Sequence, residues 1–174
     1  MRTLGRRRPL KRIAIIGSGG AGKTTLALDL GKKLGVPVHH LDAIFWRPGW
    51  QPVERTEFEA VQRKLVAAST WVVDGNYGGT MELRLAAADT IIFMDFPRTA
   101  CIFGALKRRI LQRSRPDKVA ENRERLTVEY LRWIWRYPST RRPGILKRLE
   151  ELRDEKTIIV LRSWAETAAF LAAA

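Results

Sequence analysis

Residues 17–24, GSGGAGKT, constrain the fold more than any other stretch of this chain. They follow an apolar segment at 12–16 and precede a segment at 23–34 whose leucines recur at helical spacing. The glycines lack a Cβ atom, so this loop can turn its main-chain amides inward around an anion. The helix that follows adds unpaired N–H groups and the positive end of its dipole. The sequence therefore predicts a strand, a phosphate-binding loop and a helix in succession.

The same residues fit the P-loop pattern G-x-x-x-x-G-K-[ST]. In that pattern the lysine reaches the β- and γ-phosphates, and the hydroxyl after it ligates Mg²⁺. We therefore predict that Lys23 is catalytic, that Thr24 is a metal ligand, and that ATP and Mg²⁺ are the cofactors. The predicted nucleotide-binding residues in this loop are Gly17, Ser18, Gly19, Gly20, Ala21, Gly22, Lys23, Thr24 and Thr25.

Five short apolar segments alternate with helical segments along the rest of the chain. The predicted strands lie at 12–16, 36–41, 71–73, 90–94 and 157–161, and the predicted helices at 23–34, 55–68, 98–114, 118–136, 140–153 and 163–173. Three of the strands are continuous apolar runs, which are typical of parallel sheets covered on both faces. We predict one α/β domain over residues 1–174, a three-layer doubly wound sheet of five mainly parallel strands, with residues 1–10 disordered.

The formal net charge is +14, and it is unevenly distributed. Residues 98–148 contain fifteen lysines and arginines against four acids. Such a surplus attracts polyanions, either nucleotide phosphates or nucleic acid. The single cysteine cannot form an internal disulfide, no apolar run approaches the length of a membrane span, and the basic start lacks a signal-peptide core. We expect a cytoplasmic protein.

The remaining motifs narrow the P-loop class. The chain is short for a motor or helicase, and it contains no guanine-reading N-K-x-D motif. A small kinase of the nucleoside-monophosphate-kinase type or a regulatory ATPase is left.

Several further stretches resemble the bacterial topology-modulation protein family, whose members are similar to adenylate kinase. They are HLD at 40–42, WRPGW at 46–50, VVDGNY at 72–77, DTIIFMDFPR at 89–98 and RWIWRYP at 132–138. The resemblance implies strand order 2-3-1-4-5, a short helical lid at about 107–118 and phosphoryl transfer. The family name also implies an effect on DNA topology.

By this resemblance, an acceptor substrate would lie beyond the strand at 36–41. Asp42 would orient or deprotonate an acceptor hydroxyl, and Trp46, Asn76 and Tyr77 would hold the acceptor. The Pro-Arg that adenylate kinases place after Asp-Gly-aromatic is missing, and Arg84 is a possible substitute for that arginine. The alternative interpretations are that Asp42 caps a helix or forms a turn, and that the aromatic residues pack as a lid on the core.

Asp74 and Asp95 each follow a predicted strand and compete for the metal role. We prefer Asp74, because the family's strand order sets its strand beside the P-loop strand. Arg162, after the last strand, lies where related kinases hold adenine.

The basic stretch at 106–118 would supply lid arginines. Arg109 and Arg113 lie four residues apart, hence on one helical face, and would neutralise the transferred phosphoryl group; a solvated basic face is the alternative. In the next helix, Leu126, Tyr130 and Trp133 form a stripe that predicts contact with the core.

The leading hypothesis is ATP- and Mg²⁺-dependent phosphoryl transfer to a nucleotide, a nucleoside or another hydroxyl compound, by a monomer or homodimer. The rival is a nucleic-acid-associated regulatory protein that binds ATP and affects DNA topology. Its support is the basic charge, including Arg132 and Arg136 beside the aromatic stripe.

Overall fold

A computed structural model describes residues 2–4, 10–110 and 126–174 of the chain. Its main sheet has six strands, which are β1 (Arg2–Leu4), β2 (Arg12–Gly17), β3 (Val38–His40), β6 (Trp71–Asp74), β7 (Thr90–Met94) and β8 (Thr157–Leu161). A separate hairpin pairs β4 (Trp46–Arg47) with β5 (Gln51–Pro52). The helices are α1 (Lys23–Leu34), α2 (Leu41–Phe45), α3 (Arg55–Val66), α4 (Met81–Ala87), α5 (Arg98–Ile110), α6 (Val128–Thr140), α7 (Arg142–Glu151) and α8 (Trp164–Ala173).

The main sheet has the order β1-β8-β7-β2-β6-β3, and all pairs except β1 with β8 are parallel. Counting only the five parallel strands, the order is 2-3-1-4-5, which confirms the predicted fold class. The P-loop strand β2 is central, between β6 and β7. All five parallel strands therefore present their carboxyl ends at one edge, where the P-loop begins.

Alternation along the strands divides the core between two faces of the sheet. Ala14 and Ile16 of β2 face one cluster, which also includes Phe58 of α3 and Leu149 of α7. Ile13 and Ile15 face the other, with residues of α1, α5 and α8. Because each central strand is covered on both faces, its sequence is apolar throughout, as the uninterrupted runs predicted.

Residues 2–4 differ from the expectation of disorder. They form β1, which pairs antiparallel with β8 through Arg2↔Val160 and Leu4↔Ile158. The outer edge of a sheet offers unpaired backbone groups, and this segment supplies partners for them. None of the helices within the described ranges is both long and apolar enough to span a membrane.

Three short elements lie outside the predicted ones: α2, the β4–β5 hairpin and α4. Several helices also differ in their bounds: α3 ends at Val66, α6 continues through Pro138 to Thr140, and α7 and α8 begin at Arg142 and Trp164. Of the predicted lid at 107–118, residues 107–110 form the end of α5 and the rest lies outside the described residues.

Helix α5 packs directly on the P-loop through a pair of glycines. A Cβ atom added to Gly104 would lie 2.2 Å from the carbonyl oxygen of Gly20, and one added to Gly20 would lie 2.0 Å from that of Cys101. Neither separation is sterically possible for a real Cβ atom. The close contact therefore depends on glycine at both positions.

We expect Gly104→Ala to lower the free energy of unfolding by about 1–3 kcal/mol, although alanine favours helices, because the added methyl group forces the helix away from the loop. Gly144→Ala is the matched control, since Gly144 also lies in a helix but has open space around it. The control should gain about 0.5–1 kcal/mol. Urea denaturation of both variants checks this, and a stabilised Gly104→Ala protein would contradict the packing argument.

Candidate active site

The P-loop links the end of β2 to the start of α1 at the carboxyl edge of the sheet. Gly17, Gly20 and Gly22 have φ angles of 145°, 78° and 94°, which residues with side chains rarely adopt. Gly22 is also the N-cap of α1, so the unpaired amides of the first helical turn follow it directly. This geometry is that of an anion-binding loop, as predicted from the motif.

Lys23 lies half-buried at the centre of this loop. Its Nζ donates a hydrogen bond to the carbonyl oxygen of Ser18 at 2.9 Å. Burial lowers the pKa of Lys23, while the Asp42 and Asp74 carboxylates act in the opposite direction. A bound phosphate would favour the charged ammonium in the same way that these carboxylates do.

Asp74 connects the P-loop to the neighbouring strands. It is 4% exposed, its Oδ2 accepts a hydrogen bond from Thr24 Oγ1 at 3.0 Å, and its Oδ1 lies 2.6 Å from His40 Nδ1. Mg²⁺ prefers oxygen ligands, and the Thr24 hydroxyl and the Asp74 carboxylate place two such oxygens side by side. Phosphate oxygens and water usually complete its coordination shell. The two residues therefore fit the predicted metal role. His40, which the sequence did not single out, holds the carboxylate from the other side.

Asp95, the competing candidate, is engaged elsewhere. Arg142 donates from Nε and one Nη to the two oxygens of Asp95 at 2.6 and 2.8 Å. This bidentate ion pair joins the end of β7 to the start of α7. Asp95 is also absent from the described residues that line the cavity above the P-loop. Between the two carboxylates, the geometry favours Asp74.

Asn76 holds the beginning of the P-loop. Its Oδ1 accepts the Gly17 N–H at 3.0 Å, and its Nδ2 donates to the Gly17 carbonyl oxygen at 2.6 Å. Both polar ends of the side chain are therefore used by one backbone residue. The amide therefore has a positioning role; Asn76 also lines the cavity, and its predicted contact with the acceptor stays a prediction.

Arg84 does not face the cavity, contrary to the prediction that it replaces an acceptor-phosphate arginine. It is 1% exposed and donates to Gln62 Oε1, to both oxygens of Thr80, and to the carbonyl oxygens of Gly75 and Asn76. Burial lowers the pKa of Arg84 to about 10, which leaves it charged at neutral pH. The position one helical turn into α4 directs the side chain under the Gly75–Asn76 loop, not over it.

Asp42 faces the cavity from α2. Its Oδ1 accepts a hydrogen bond from the Tyr77 hydroxyl at 2.6 Å, and it makes no side-chain cap for its own helix. Burial, and then the Asp42 charge, raise the pKa of the Tyr77 hydroxyl, so the phenol stays a proton donor. Tyr77 has a φ of 35°, a conformation that costs backbone energy and is typical of functional segments.

The aromatic residues after Asp42 divide into two roles. Phe45 packs edge-on against Phe58, with ring centroids 5.0 Å apart, and tilts against Tyr77 at 4.8 Å. Trp46 lines the cavity and packs against Trp50 at 5.6 Å. Part of the cluster therefore packs on the core, whereas Trp46 forms a wall of the cavity, and its predicted contact with an acceptor stays a prediction.

The basic helix α5 contributes different residues from those predicted. Lys107 and Arg108 line the cavity, whereas Arg109 is exposed and is not among the described lining residues. Arg108 donates to the Tyr130 hydroxyl at 3.5 Å. Successive residues of an α-helix are rotated by about 100° about its axis, so residues three and four positions apart lie on the same face. Because Gly104 contacts the P-loop, Lys107 and Arg108 lie over the P-loop as well. Arg113 lies outside the described residues.

Tyr130 and Trp133 of α6 also line the cavity. Their rings stack with centroids 6.0 Å apart and an angle of 11° between planes, and a Cβ atom on Gly19 would lie 2.2 Å from the Tyr130 hydroxyl. We predicted that these residues contact the core, and both pack against it in addition to lining the cavity. A stripe at helical spacing marks the inner face of a helix, but it does not distinguish packed core from the wall of a cavity.

The opposite end of the cavity is apolar. Leu28, Phe103 and Trp164 line it, and they are 39%, 57% and 46% exposed. The Trp164 ring packs edge-on against Phe103 at 6.1 Å. Arg162, which we predicted to contact the base, is exposed and is not among the described lining residues; its backbone N–H donates to Glu166 at 2.9 Å. The residue two positions later supplies the cavity wall instead.

These groups surround one cavity of about 850 Å³. Its described lining consists of Gly19, Gly20, Gly22, Lys23, Thr24, Thr25, Leu28, Asp42, Trp46, Asp74, Gly75, Asn76, Tyr77, Phe103, Gly104, Lys107, Arg108, Tyr130, Trp133 and Trp164. The volume is ample for a nucleotide together with part of a second small molecule.

No protein-family model and no curated protein matches the sequence. Solved structures match in fold. A gluconokinase from Sinorhizobium meliloti 1021 has a TM-score of 0.54 at 15% identity, over 96% of this chain and 94% of that one. A shikimate kinase from Acinetobacter baumannii, in complex with shikimate, has a TM-score of 0.51 at 15% identity, over 95% and 90%. The Aquifex aeolicus shikimate kinase has 0.50 at 15%, over 93% and 92%.

The chain has the P-loop kinase fold. At these identities the likeness concerns the fold alone, so the activity must be argued from the cavity. The resemblance to topology-modulation proteins stays a prediction from the sequence.

Because Arg84 is a buried charge bound by neutral oxygens, Arg84→Met should lower the free energy of unfolding by about 3 kcal/mol or more by leaving several of those oxygens without donors. Arg63→Met is the matched control, since Arg63 is exposed and pairs with Glu59 one turn away. That variant should change stability by less than about 1 kcal/mol. Denaturant titration of both proteins measures the difference, and equal stabilities would refute the structural role of Arg84.

Proposed function

We propose that this protein transfers a phosphoryl group from ATP, in the presence of Mg²⁺, to a small molecule that carries a hydroxyl group. One observation carries the proposal: a single cavity contains Lys23 on the P-loop, the Thr24–Asp74 pair and, facing them, the Asp42 carboxylate. A protein that only binds a nucleotide needs the first two features. A carboxylate across the cavity from the phosphate site is what transfer to a hydroxyl also requires.

The nucleotide's phosphates would lie in the P-loop, with Lys23 at the β- and γ-phosphates. Thr24 and Asp74 would hold Mg²⁺, which supplies neutralising charge to the phosphate oxygens when bound. His40 fixes the Asp74 carboxylate in the orientation that faces Thr24. Such a second layer of contacts sets the geometry of metal ligands.

The nucleobase would occupy the apolar end of the cavity. Phe103 and Trp164 offer aromatic faces there, and Leu28 adds an aliphatic surface from α1. These residues are unusually exposed for apolar side chains, and a bound base would cover them. In this arrangement the base extends toward β7 and β8, and the γ-phosphate points toward Asp42.

Phosphoryl transfer would then depend on position and charge. Asp42 accepts the proton of the acceptor hydroxyl while the oxygen of that hydroxyl attacks the γ-phosphorus. Lys23 and Arg108 donate to the oxygens on which negative charge develops. Arg108 takes the role that we first gave to Arg109, because the former lines the cavity.

A second candidate function is nucleic-acid binding on the outer surface of α6. The Arg98 guanidinium carbon lies 4.7 Å from the centroid of the Trp135 ring, and Trp135 is 51% exposed. Exposed Arg132 and Arg136 lie beside it. An exposed aromatic ring among arginines can stack on a base while the cations contact phosphates. Affinity for DNA that falls steeply with salt, without phosphoryl transfer, would favour this candidate. The effect on DNA topology, the cytoplasmic location and the oligomeric state stay predictions from the sequence.

Removing Arg108, which lines the cavity, should slow turnover, and removing its neighbour Arg109 should not. We expect Arg108→Ala to lower kcat for ADP formation at least about tenfold through lost stabilisation of developing charge. Arg109→Ala, one residue away and equally basic, should stay within about twofold of the unmodified protein. Lys23→Ala, expected to abolish turnover, sets the lower limit of the assay. Equal effects of Arg108→Ala and Arg109→Ala would contradict the assignment.

Asp74 and Asp95 can be separated by the Mg²⁺ dependence of ATP binding. Asp74→Asn should weaken ATP binding about tenfold or more in Mg²⁺ but little in EDTA, because it removes the charge that holds the metal while the P-loop and Lys23 stay in place. Asp95→Asn breaks the pair with Arg142, so it should lower Tm and leave the Mg²⁺ effect intact. Titration with a fluorescent ATP analogue, with and without Mg²⁺, distinguishes them. A lost Mg²⁺ effect in Asp95→Asn would reverse the two roles.

A further inference from the structure

The strand order gives the cavity two sides. Strands β3 and β6 lie on one side of the P-loop strand, and β7 and β8 lie on the other. The elements after β3 and β6 contribute Asp42, Trp46 and Tyr77, which we call the acceptor wall. Phe103, Arg108 and Trp164 come from the elements after β7 and β8. The acceptor wall therefore faces the nucleotide site from the side away from the proposed base.

The acceptor wall consists of one carboxylate, one phenol and one indole. Among the described residues, the cations that line the cavity are Lys23, Lys107 and Arg108, and none of them belongs to this wall. Asp42 is exposed to the cavity, so its charge repels an approaching anion. The wall thus favours a ligand without a phosphate group at this end.

One cation on this side of the P-loop strand, Arg84, is withheld from the cavity. Arg84 lies on α4 behind the wall, 1% exposed, and its guanidinium donates to carbonyl, amide and hydroxyl oxygens. These neutral partners occupy its donors, so an acceptor phosphate has no access to it. Because Arg84 supports the Gly75–Asn76 loop, freeing it for a ligand would dismantle the segment that carries Tyr77.

Resting on the proposed kinase activity, we infer that the phosphoryl acceptor is an uncharged hydroxyl compound with a flat or apolar face, such as a nucleoside or a sugar, and not a phosphate monoester. The Tyr77 hydroxyl donates a hydrogen bond to Asp42 Oδ1, and none of the hydrogen bonds found among the described residues involves Oδ2. The acceptor hydroxyl donates to Oδ2, while Trp46 lies against the apolar face of the acceptor.

The transfer balances without a further reactant. The acceptor oxygen forms a bond to the γ-phosphorus, the bond between that phosphorus and the β–γ bridging oxygen breaks, and ADP leaves. The hydroxyl proton goes to the Asp42 carboxylate and from there to solvent. A monoester would bring two negative charges next to Asp42, which this wall does not offset.

Matched pairs of acceptors test the inference: adenosine with AMP, cytidine with CMP, and glucose with glucose 6-phosphate. Binding of each compound to the complex with ADP and Mg²⁺ is measured by calorimetry, and transfer is measured with ATP labelled at the γ-phosphate. We expect the uncharged member of at least one pair to bind about tenfold more tightly than its phosphate, and the reacting pair tells a nucleoside from a sugar. Tighter binding of the phosphates, or binding of neither member of any pair, overturns the inference. Failure of the kinase proposal is distinct, because it appears as absent label transfer.

Asp42→Asn provides the second test, with Asp29→Asn as its control. Asp29 is an exposed carboxylate on α1 that does not line the cavity. Asp42→Asn should weaken binding of the uncharged acceptor about ten- to a hundredfold, the loss of a hydrogen bond to a charged group. It should also raise the affinity for the corresponding phosphate, while Asp29→Asn changes neither. Unchanged binding of both members in Asp42→Asn overturns the inference even if transfer is never observed.

Discussion

The site depends on the pair of hydrogen bonds that join the Asn76 side chain to the backbone of Gly17. They fix the start of the P-loop to residues 74–77, which comprise the last residue of β6 and the three residues after it. Within that segment Asp74 faces Thr24, Asn76 holds Gly17, and Tyr77 binds Asp42. Four consecutive residues therefore set the relative positions of the proposed metal site, the P-loop and the acceptor wall. A shift of this segment would move all three together, so their spacing is a property of one backbone turn.

The two partly or wholly buried cations near this turn have opposite uses. Lys23 lies in the cavity next to carboxylates, and its burial weakens its charged form until an anion arrives. Arg84 is held by neutral oxygens beneath the loop, where its donors are already bound. Both are basic residues beside glycine-rich loops in the sequence. Only the three-dimensional contacts distinguish the cation that we propose binds the nucleotide from the cation that supports the backbone.

Much of the fold followed from the sequence, because continuous apolar strands and a P-loop allow few arrangements. The loop at residues 17–22 has the positive φ angles that the motif predicts, and the metal role of Asp74, which contacts Thr24, stays a prediction. The errors at Arg84, Arg109 and Arg162 have a common physical cause. Each of these predictions depended on the direction in which a side chain leaves its helix or strand. In a chain this basic, the presence of a charged residue does not indicate that direction. Tyr130 and Trp133 contact the core as predicted, but their place in the cavity wall was not predicted, because cavity walls and cores share one periodicity.

The packing of Gly104 against Gly20 determines which basic side chains of α5 face the P-loop. Gly104 contacts Gly20 so closely that α5 cannot rotate about its axis without a clash. Arg108 lies four residues after Gly104, and Lys107 three, so both share the face that this contact turns toward the P-loop. Arg109, five residues after Gly104, is turned away from it. The glycine pair thus selects which cation of a continuous basic run meets the phosphate site, and a residue without a side chain determines the charge above the loop.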